Sequence, residues 1–257
     1  MSSSPKSVVV TGANRGIGLT IVKELLKDKN IQYIIATARE VENATVSQIY
    51  QIKEKFIFQE LKSINDPRLH ILPLDVVSDK SIDTFVSKVT DIVKESEIST
   101  NLHIFEEPNR ATLVKQFDVN TISLVIITQK FLPLLRKSAS KVSGDKLSIS
   151  RSAVVNISSG LASVSLNNYG SDIIPMLAYS MSKSAVNQFN KIFSIDVKDD
   201  HILTVAFEPG WIQTNLGGPH APLKLEEAIP VLVSSFYKLD NTHHGGYFER
   251  DLTPRPY

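Results

Sequence analysis

The stretch TGANRGIG, residues 11–18, follows a short β-branched run at 8–10 and leads into IVKELLKD, which has helical periodicity. Its glycines, Gly12, Gly16 and Gly18, have the spacing G-x3-G-x-G, a relative of the dinucleotide-binding pattern. Glycines allow a tight turn and a close approach of the backbone to a pyrophosphate, which would face the free amides at the start of the helix. The stretch therefore predicts a strand, a phosphate-binding loop and a helix, and a glycine-rich turn without a ligand is the alternative.

Strand and helix patterns alternate along the rest of the chain. The strand-like segments lie at 32–38, 69–74, 102–105, 153–158 and 202–209, with GGYF near the end as a candidate for a last short strand. Helical patterns separate them, which implies right-handed crossovers and a mostly parallel, doubly wound sheet with helices on both faces. No repeat or linker-like composition break interrupts the chain, so we expect a single α/β domain over residues 1–257.

The composition excludes several classes of function. The net charge of +1 argues against a nucleic-acid or membrane-surface partner, and the absence of cysteine excludes disulfides, thiolate metal sites and cysteine nucleophiles. His243 and His244 lack further ligands at metal-binding spacing, so no metal site is predicted. The first residues do not form a signal peptide, and no run approaches the roughly 18 apolar residues of a membrane span. A cytoplasmic protein is the expectation.

Two arginines bear on the choice of dinucleotide. Arg15 lies inside the glycine loop, and Arg39 follows the second strand, where NAD enzymes usually carry an acid for the ribose 2′-hydroxyl. The nearest acid, Glu40, comes one residue later. A guanidinium can pair with a 2′-phosphate, so the pair favours NADP(H), with solvated surface charges as the alternative.

A second set of motifs carries chemistry. NISSG ends the strand that begins at Ala153, and YSMSK follows on a predicted helix. Positions i and i+4 share a helix face, so Tyr179 and Lys183 point the same way. A nearby ammonium stabilises tyrosinate and lowers a phenol pKa from about 10, which makes the tyrosine a usable general acid or base.

In combination, TGANRGIG, NISSG, YSMSK and EPGWIQT resemble the short-chain dehydrogenase/reductase family over essentially the whole chain. TGANRGIG and the closing GGYFERDLTP are similar to the sniffer-like carbonyl reductases within it. The resemblance implies a Rossmann fold and an NADPH-dependent oxidoreductase that reduces a small-molecule ketone, aldehyde or quinone. It leaves open both a homodimer, paired through the helices that carry Asn120 and Tyr179, and a monomer.

The resemblance also assigns catalytic roles. Tyr179 would protonate the carbonyl oxygen as general acid, and Lys183 would lower its pKa and hold the nicotinamide ribose. Ser159 would orient the carbonyl, with Ser158 as the weaker candidate, and Asn120 would hold a water in the proton relay. Each residue also has a plain structural reading, such as a helix-face amide for Asn120.

The cofactor contacts implied by the resemblance span the chain. Asp75 would lie near the adenine, and the turn from Pro209 and Gly210 to Thr214 would hold the nicotinamide carboxamide. Trp211 would cover the nicotinamide, line the substrate pocket or simply pack. Substrate-binding loops are expected at about 160–177 and 214–228. The full set of candidate cofactor residues is Gly12, Asn14, Arg15, Gly16, Ile17, Gly18, Arg39, Asp75, Val76, Tyr179, Lys183, Pro209, Gly210, Ile212 and Thr214.

One departure from the family pattern puts activity in question. The family normally has Asn-Asn-Ala-Gly after its fourth strand, whereas this chain reads LHIFEEPNRA and has no glycine between Gly18 and Gly144. Glu106 and Glu107 would instead bring negative charge towards an anionic cofactor. The alternative function is therefore a catalytically impaired or silent member that acts as a binding or scaffold protein.

A second departure is the extra segment at residues 46–59, VSQIYQIKEKFIFQ. Its ends, Val-Ser and Phe-Gln, can be encoded by sequences that resemble splice signals, so one hypothesis is a retained in-frame intron. The other is a genuine helical extension, because Ile49, Ile52, Phe56 and Leu61 fall on one helical face. The sequence leaves these two hypotheses even.

Overall fold

The computed structural model of the chain describes residues 4–38, 61, 63–92, 98–99, 110–168 and 176–257. The strands are β1 Ser7–Val10, β2 Tyr33–Ala38, β3 Leu69–Pro73, β4 Ile98–Ser99, β5 Ala153–Ile157, β6 Leu203–Glu208 and β7 Tyr247–Glu249. The helices are α1 Gly16–Leu25, α2 Asp79–Ile92, α3 Arg110–Phe117, α4 Ser123–Ala139, α5 Leu177–Asp196 and α6 Leu225–Phe236. A π-helical segment, Asp118–Ile122, joins α3 to α4, and short 3₁₀ turns lie at Gly160–Ala162 and Asn241–His243.

The described strands form one seven-stranded sheet in the order β3-β2-β1-β4-β5-β6-β7, and every pairing in it is parallel. This confirms the predicted doubly wound Rossmann fold. The strand order reverses between β1 and β4, and ligands of such sheets bind at the carboxyl edge beside that reversal. The loop after β1 therefore lies where the glycine pattern predicts a binding site.

The central strand β4 is short in the described part of the chain. Ile98 and Ser99 pair with Val9 and Val10 on one side, and Ile98 pairs with Val154 on the other. The strand predicted at 102–105 and the segment that replaces the family's Asn-Asn-Ala-Gly turn lie outside the described residues. The same holds for the extra segment at 46–59, so both hypotheses about it stay open.

The core lies on both faces of the sheet. Neighbouring residues of one strand point to opposite faces, so Ile34 packs with α1 and α6 whereas Ile35 packs with α2 and α4. On the second face, Ile82 and Phe85 of α2 are fully buried, as the helical periodicity predicts. The rings of Phe85 and Phe131 lie 6.0 Å apart and join α2 to α4.

One helical run, Leu113–Ala139, is long and apolar enough to cross a membrane by length and composition. The sequence predicts no membrane span, and this run is the one candidate among the described residues. Its side chains Ile127, Phe131 and Leu135 have no exposed surface and belong to the core cluster on the second face of the sheet. The core helix of a globular protein meets the same length and composition test.

Arg68, directly before β3, binds the segment between α1 and β2. Its Nη1 donates to the carbonyl oxygens of Asp28 (2.7 Å) and Ile31 (3.0 Å), and its Nη2 donates to that of Leu26 (2.8 Å). Asp66 accepts from Nε at 2.9 Å and from Nη2 at 2.8 Å, and the Arg68 guanidinium lowers the pKa of Asp66 to about 2. One side chain thus satisfies three carbonyls where the chain turns from α1 into β2.

We expect Arg68→Met to lower the free energy of unfolding by about 2 kcal/mol or more, because it leaves these half-buried carbonyls without their donor. Urea denaturation of the full chain measures the effect. Arg136→Met is the matched control, since Arg136 is an exposed residue paired with Asp200 and should cost less than about 1 kcal/mol. Equal, small losses for the two variants would show that Arg68 does not connect these elements.

Candidate active site

The loop after β1 has a backbone that only glycine adopts readily. Gly12 has φ +62° and Gly16 has φ +52°, both in the left-handed region. Gly18 has no room for a side chain, because an added Cβ would lie 2.4 Å from the carbonyl oxygen of Gly12. The amide of Ala13 donates to the carbonyl of Thr37 at 2.8 Å, which fixes the loop against the end of β2. Each glycine of the predicted pattern therefore has its own geometric reason.

The start of α1 is open to an anion. The first amides of a helix have no partner within the helix, and the side chain of Arg15, the N-cap residue, makes no capping hydrogen bond. An added Cβ on Gly16 would lie 3.5 Å from Cγ2 of Thr214, so the turn after β6 reaches the loop after β1. The loop after β1 and the turn after β6, both parts of the predicted cofactor site, are thus adjacent, and Ile17 of the loop packs against the core cluster on the first face of the sheet.

The predicted adenine end lies after β3. The amide of Asp75 donates to Oγ of Ser81 at 2.9 Å, and Oδ1 of Asp75 accepts from the amide of Val77 at 3.3 Å. These contacts are those of a turn-forming residue, which is the plain structural reading of Asp75. Val76 packs against the core cluster on the second face of the sheet. Arg39, the other half of the NADP(H) prediction, lies outside the described residues.

Tyr179 and Lys183 share a buried face of α5. Tyr179 is 7% exposed and Lys183 is 2% exposed, and Nζ of Lys183 lies 5.9 Å from the centroid of the tyrosine ring. The ammonium group donates to the carbonyl oxygen of Ile157, the last residue of β5, at 2.8 Å. This bond fixes the helix against the carboxyl end of the central sheet.

The two serines of NISSG separate in the structure. The Ser159 hydroxyl lies close enough to the hydroxyl of Tyr179 to lower its pKa, and it accepts from the amide of Leu161 at 3.3 Å. Oγ of Ser158 instead donates to Oδ1 of Asn187 at 2.7 Å, on the buried side of α5. The structure therefore brings Ser159, the first choice of the sequence analysis, to the tyrosine.

Burial is the largest cause of the pKa shifts of Tyr179 and Lys183. It raises the pKa of Tyr179 to about 12, against the opposing hydrogen bond from Ser159. It also lowers the pKa of Lys183 to about 8, against the opposing charge of Glu208. The predicted net fall of the tyrosine pKa is therefore wrong for this arrangement. The loss of water around the phenol is the largest cause of the rise, and the ammonium group of Lys183 is bonded to a backbone carbonyl.

Asn120 lies in the π-helical segment between α3 and α4. Its Nδ2 donates to Oε1 of Gln116 and to Oγ of Ser182, both at 2.9 Å, and Ser182 in turn donates to the carbonyl of Tyr179 at 2.8 Å. Oδ1 of Asn120 is buried and accepts no hydrogen bond from the described residues. π-helical turns are frequent at functional sites. Asn120 is thus linked to the turn of α5 that carries the tyrosine, and it keeps one acceptor available.

The turn after β6 is fixed by its own contacts. Gly210 has φ +98°, and an added Cβ there would lie 2.5 Å from Cδ1 of Leu223. Ile212 forms a bridge with Leu223, which closes the loop that contains Thr214. Trp211 is 58% exposed and its Nε1 donates to the carbonyl of Gly217 at 2.7 Å, so its ring lies on the rim of this loop.

Sequence reasoning misses three residues beside Ser159. The hydroxyl of Tyr247 donates to the carbonyl of Ser159 at 2.5 Å, and Glu208 and Arg255 meet next to Gly160. Only Glu208 has a sequence signal, as the one charged residue of the strand LTVAFE, directly before Pro209. Tyr247 and Arg255 come from the last strand and the segment after it, so tertiary structure alone brings them here.

Comparison with known proteins identifies the family of the chain. The family model described as short chain dehydrogenase matches residues 6–222. The chain belongs to the short-chain dehydrogenase family. Its fold and this match support oxidoreductase activity and confirm the resemblance read from the motifs.

Three solved structures are similar over nearly the whole chain. A protein described as the carbonyl reductase Sniffer of Caenorhabditis elegans is 48% identical, with a TM-score of 0.84 over 99% of this chain and 100% of that one. The carbonyl reductase Sniffer of Drosophila melanogaster is 28% identical, with a TM-score of 0.85 over 99% and 100%. An NADPH-bound carbonyl reductase from chicken fatty liver is 27% identical, with a TM-score of 0.82 over 98% and 94%.

Proposed function

We propose that this protein reduces the carbonyl group of a ketone, aldehyde or quinone, with NADPH as hydride donor and Tyr179 as general acid. The observation that carries the proposal is the buried contact between Tyr179 and Ser159, with Lys183 on the same helix face. These groups lie at the carboxyl edge of the sheet, between β5 and the turn after β6. The similar carbonyl reductases, one of them NADPH-bound, support the same chemistry.

The residues around the glycine loop fit a dinucleotide. The left-handed glycines and the missing space at Gly18 form a backbone cradle, and the start of α1 offers amides to a pyrophosphate. Gly16 and Thr214 face each other, so a ligand at the loop would extend to the turn after β6. When bound, NADPH supplies the hydride. The holding residues are the candidate set named above, with Arg15 as the described residue for the 2′-phosphate.

The proton would come from the chain itself. Burial raises the pKa of Tyr179 to about 12, so the phenol keeps its proton at neutral pH and can donate it to the substrate oxygen as the carbon receives hydride. The Ser159 hydroxyl, next to the phenol, would donate a hydrogen bond to the same oxygen. With a pKa of about 8, Lys183 is mostly protonated at neutral pH and would stabilise the tyrosinate left behind. Asn120, through Ser182, would support reprotonation.

The substrate class follows from the rim of the site. Exposed apolar side chains lie on the first predicted substrate loop, at the start of α5 and in the turn after β6, namely Val164, Leu166, Leu177, Met181 and Trp211. Residues 169–175 of the first loop lie outside the described residues. An apolar rim around one polar centre suits an uncharged carbonyl compound with an aromatic or alkyl body. The cytoplasmic location and the choice between homodimer and monomer stay predictions.

A silent family member remains the second candidate function. The observation in its favour is the sequence that replaces Asn-Asn-Ala-Gly, without a glycine between Gly18 and Gly144. In that case the chain would keep the fold and act by binding a partner. Cofactor binding and turnover separate the two candidates directly.

The first prediction concerns the proton donor. We expect Tyr179→Phe to lower kcat for NADPH-dependent reduction by about 10²-fold or more, because the substrate oxygen loses its acid. The affinity for NADPH should change little, since the substitution removes one hydroxyl. Steady-state rates with an aryl ketone, an aldehyde and a quinone measure the first effect, and cofactor fluorescence measures the second. Tyr33→Phe, at the start of β2, is the control, and equal rates for both variants would refute the mechanism.

The second prediction concerns cofactor choice. We expect Arg15→Gln to weaken NADPH binding about tenfold and to leave NADH binding unchanged, because only NADPH carries the 2′-phosphate. Fluorescence titration of both cofactors gives the two dissociation constants. Arg136→Gln removes an arginine of the opposite surface and should change neither. A loss that is equal for NADPH and NADH would mean that Arg15 does not contact the 2′-phosphate.

A further inference from the structure

Glu208 is a half-buried acid that the family's catalytic set does not explain. It ends β6, directly before Pro209, and its Oε1 accepts from the amide of Gly210 at 2.9 Å. Its Oε2 is buried and has no hydrogen-bond partner among the described residues. A buried carboxylate oxygen without a hydrogen-bond partner destabilises the fold, so we expect Glu208 to have a function at the edge of the site.

The carboxyl group meets an arginine beside the catalytic serine. An added Cβ on Gly160 would lie 3.3 Å from Cδ and Oε2 of Glu208 and 3.1 Å from Nη2 of Arg255. The same guanidinium donates through Nη1 to Oε1 of Glu249 at 2.8 Å. Glu208 and Arg255 therefore converge over Gly160, the residue that follows Ser159, where a side chain would be in tight contact with both.

The titratable groups around Glu208 come from three elements. They are Tyr179 and Lys183 of α5, Tyr247 and Glu249 of β7, and Arg250 and Arg255 of the segment after it. Burial raises the pKa of Glu208, and Arg255, the Gly210 amide and Lys183 act against that rise. In return, the ionised carboxylate raises the pKa of both Tyr179 and Lys183.

We propose that Glu208 is a positioning residue of the catalytic centre: its carboxylate lies beside Gly160, supplies a negative charge to the site of Tyr179 and Lys183, and holds the turn after β6 through its Oε1. The inference rests on the proposed carbonyl reduction. It adds to that mechanism a negative charge at the end of β6. One carboxyl group thereby contacts the turn at Gly210 and also influences the protonation of Tyr179 and Lys183.

The sign of the effect on pH dependence follows from the charges. Reduction needs a protonated phenol and ammonium, so the rate falls at alkaline pH as these protons are lost. A negative carboxylate disfavours tyrosinate and favours ammonium, so it moves that loss to higher pH. Below its own raised pKa, Glu208 is neutral and the effect disappears. Removal of the charge should therefore shift only the alkaline side of the rate profile.

Glu208→Gln isolates the charge, because the amide oxygen can still accept from Gly210 and the side chain keeps its shape. We expect the alkaline midpoint of kcat to move down by about half a pH unit or more, with a KM for NADPH within about twofold of the original. Glu208→Asp keeps the charge and should restore the midpoint even where its rate is lower. Glu226→Gln, an exposed acid of α6, is the control and should leave the profile unchanged.

A readout without turnover tests the same charge. In protein labelled with ¹³C at the lysine ε-carbon and free of cofactor, the resonance of Lys183, identified by its loss in Lys183→Arg, should titrate at lower pH in Glu208→Gln. Unchanged titration of Lys183 together with an unchanged rate profile would overturn the inference. If the unaltered protein shows no reductase activity, the proposed function fails, and the lysine titration alone then decides whether Glu208 sets the charge of the centre.

Discussion

The contact between the start of α1 and the loop after β1 is the constraint on which the rest of the site depends. An added Cβ on Gly18 would lie 2.4 Å from the carbonyl of Gly12, so the helix can take this position only with glycine there. The same approach aims the first amides of α1 at the carboxyl edge of the parallel sheet, and a Cβ added to Gly16 would lie 3.5 Å from Cγ2 of Thr214. The loop after β1 therefore lies near the turn after β6, at the same edge of the sheet as Ser159 and Glu208.

Burial then decides the chemistry of the groups gathered at that edge. Lys183 is 2% exposed and uses its ammonium group to bind the carbonyl of Ile157, so it anchors α5 to the sheet as well as carrying charge. The cost of removing the phenol from water holds the proton on Tyr179, which suits an acid in carbonyl reduction. Glu208 adds a negative charge from β6 in the same sense. The site therefore places two charged groups, Lys183 and Glu208, near the hydroxyls of Ser159 and Tyr179.

Much of this could be predicted from local sequence. The glycine loop, the helix face of Tyr179 and Lys183 and the parallel order of strands depend on short spacings, and the structure agrees with each. The π-helical turn at Asn120 has no local signal, because it depends on how the helix fits against Ser182. The rise in the tyrosine pKa and the meeting of Glu208 with Arg255 depend on burial and on contacts between distant segments. Sequence spacing cannot specify either of them.

The most direct test of the account is a titration of the purified, folded protein with NADPH, followed by cofactor fluorescence, with NADH as the comparison. The account predicts saturable binding that prefers NADPH by about tenfold or more, carried by the glycine loop and Arg15 although the family's Asn-Asn-Ala-Gly turn is replaced. Protein that is shown to be folded by circular dichroism and binds neither cofactor would contradict the proposed reductase and favour the silent family member.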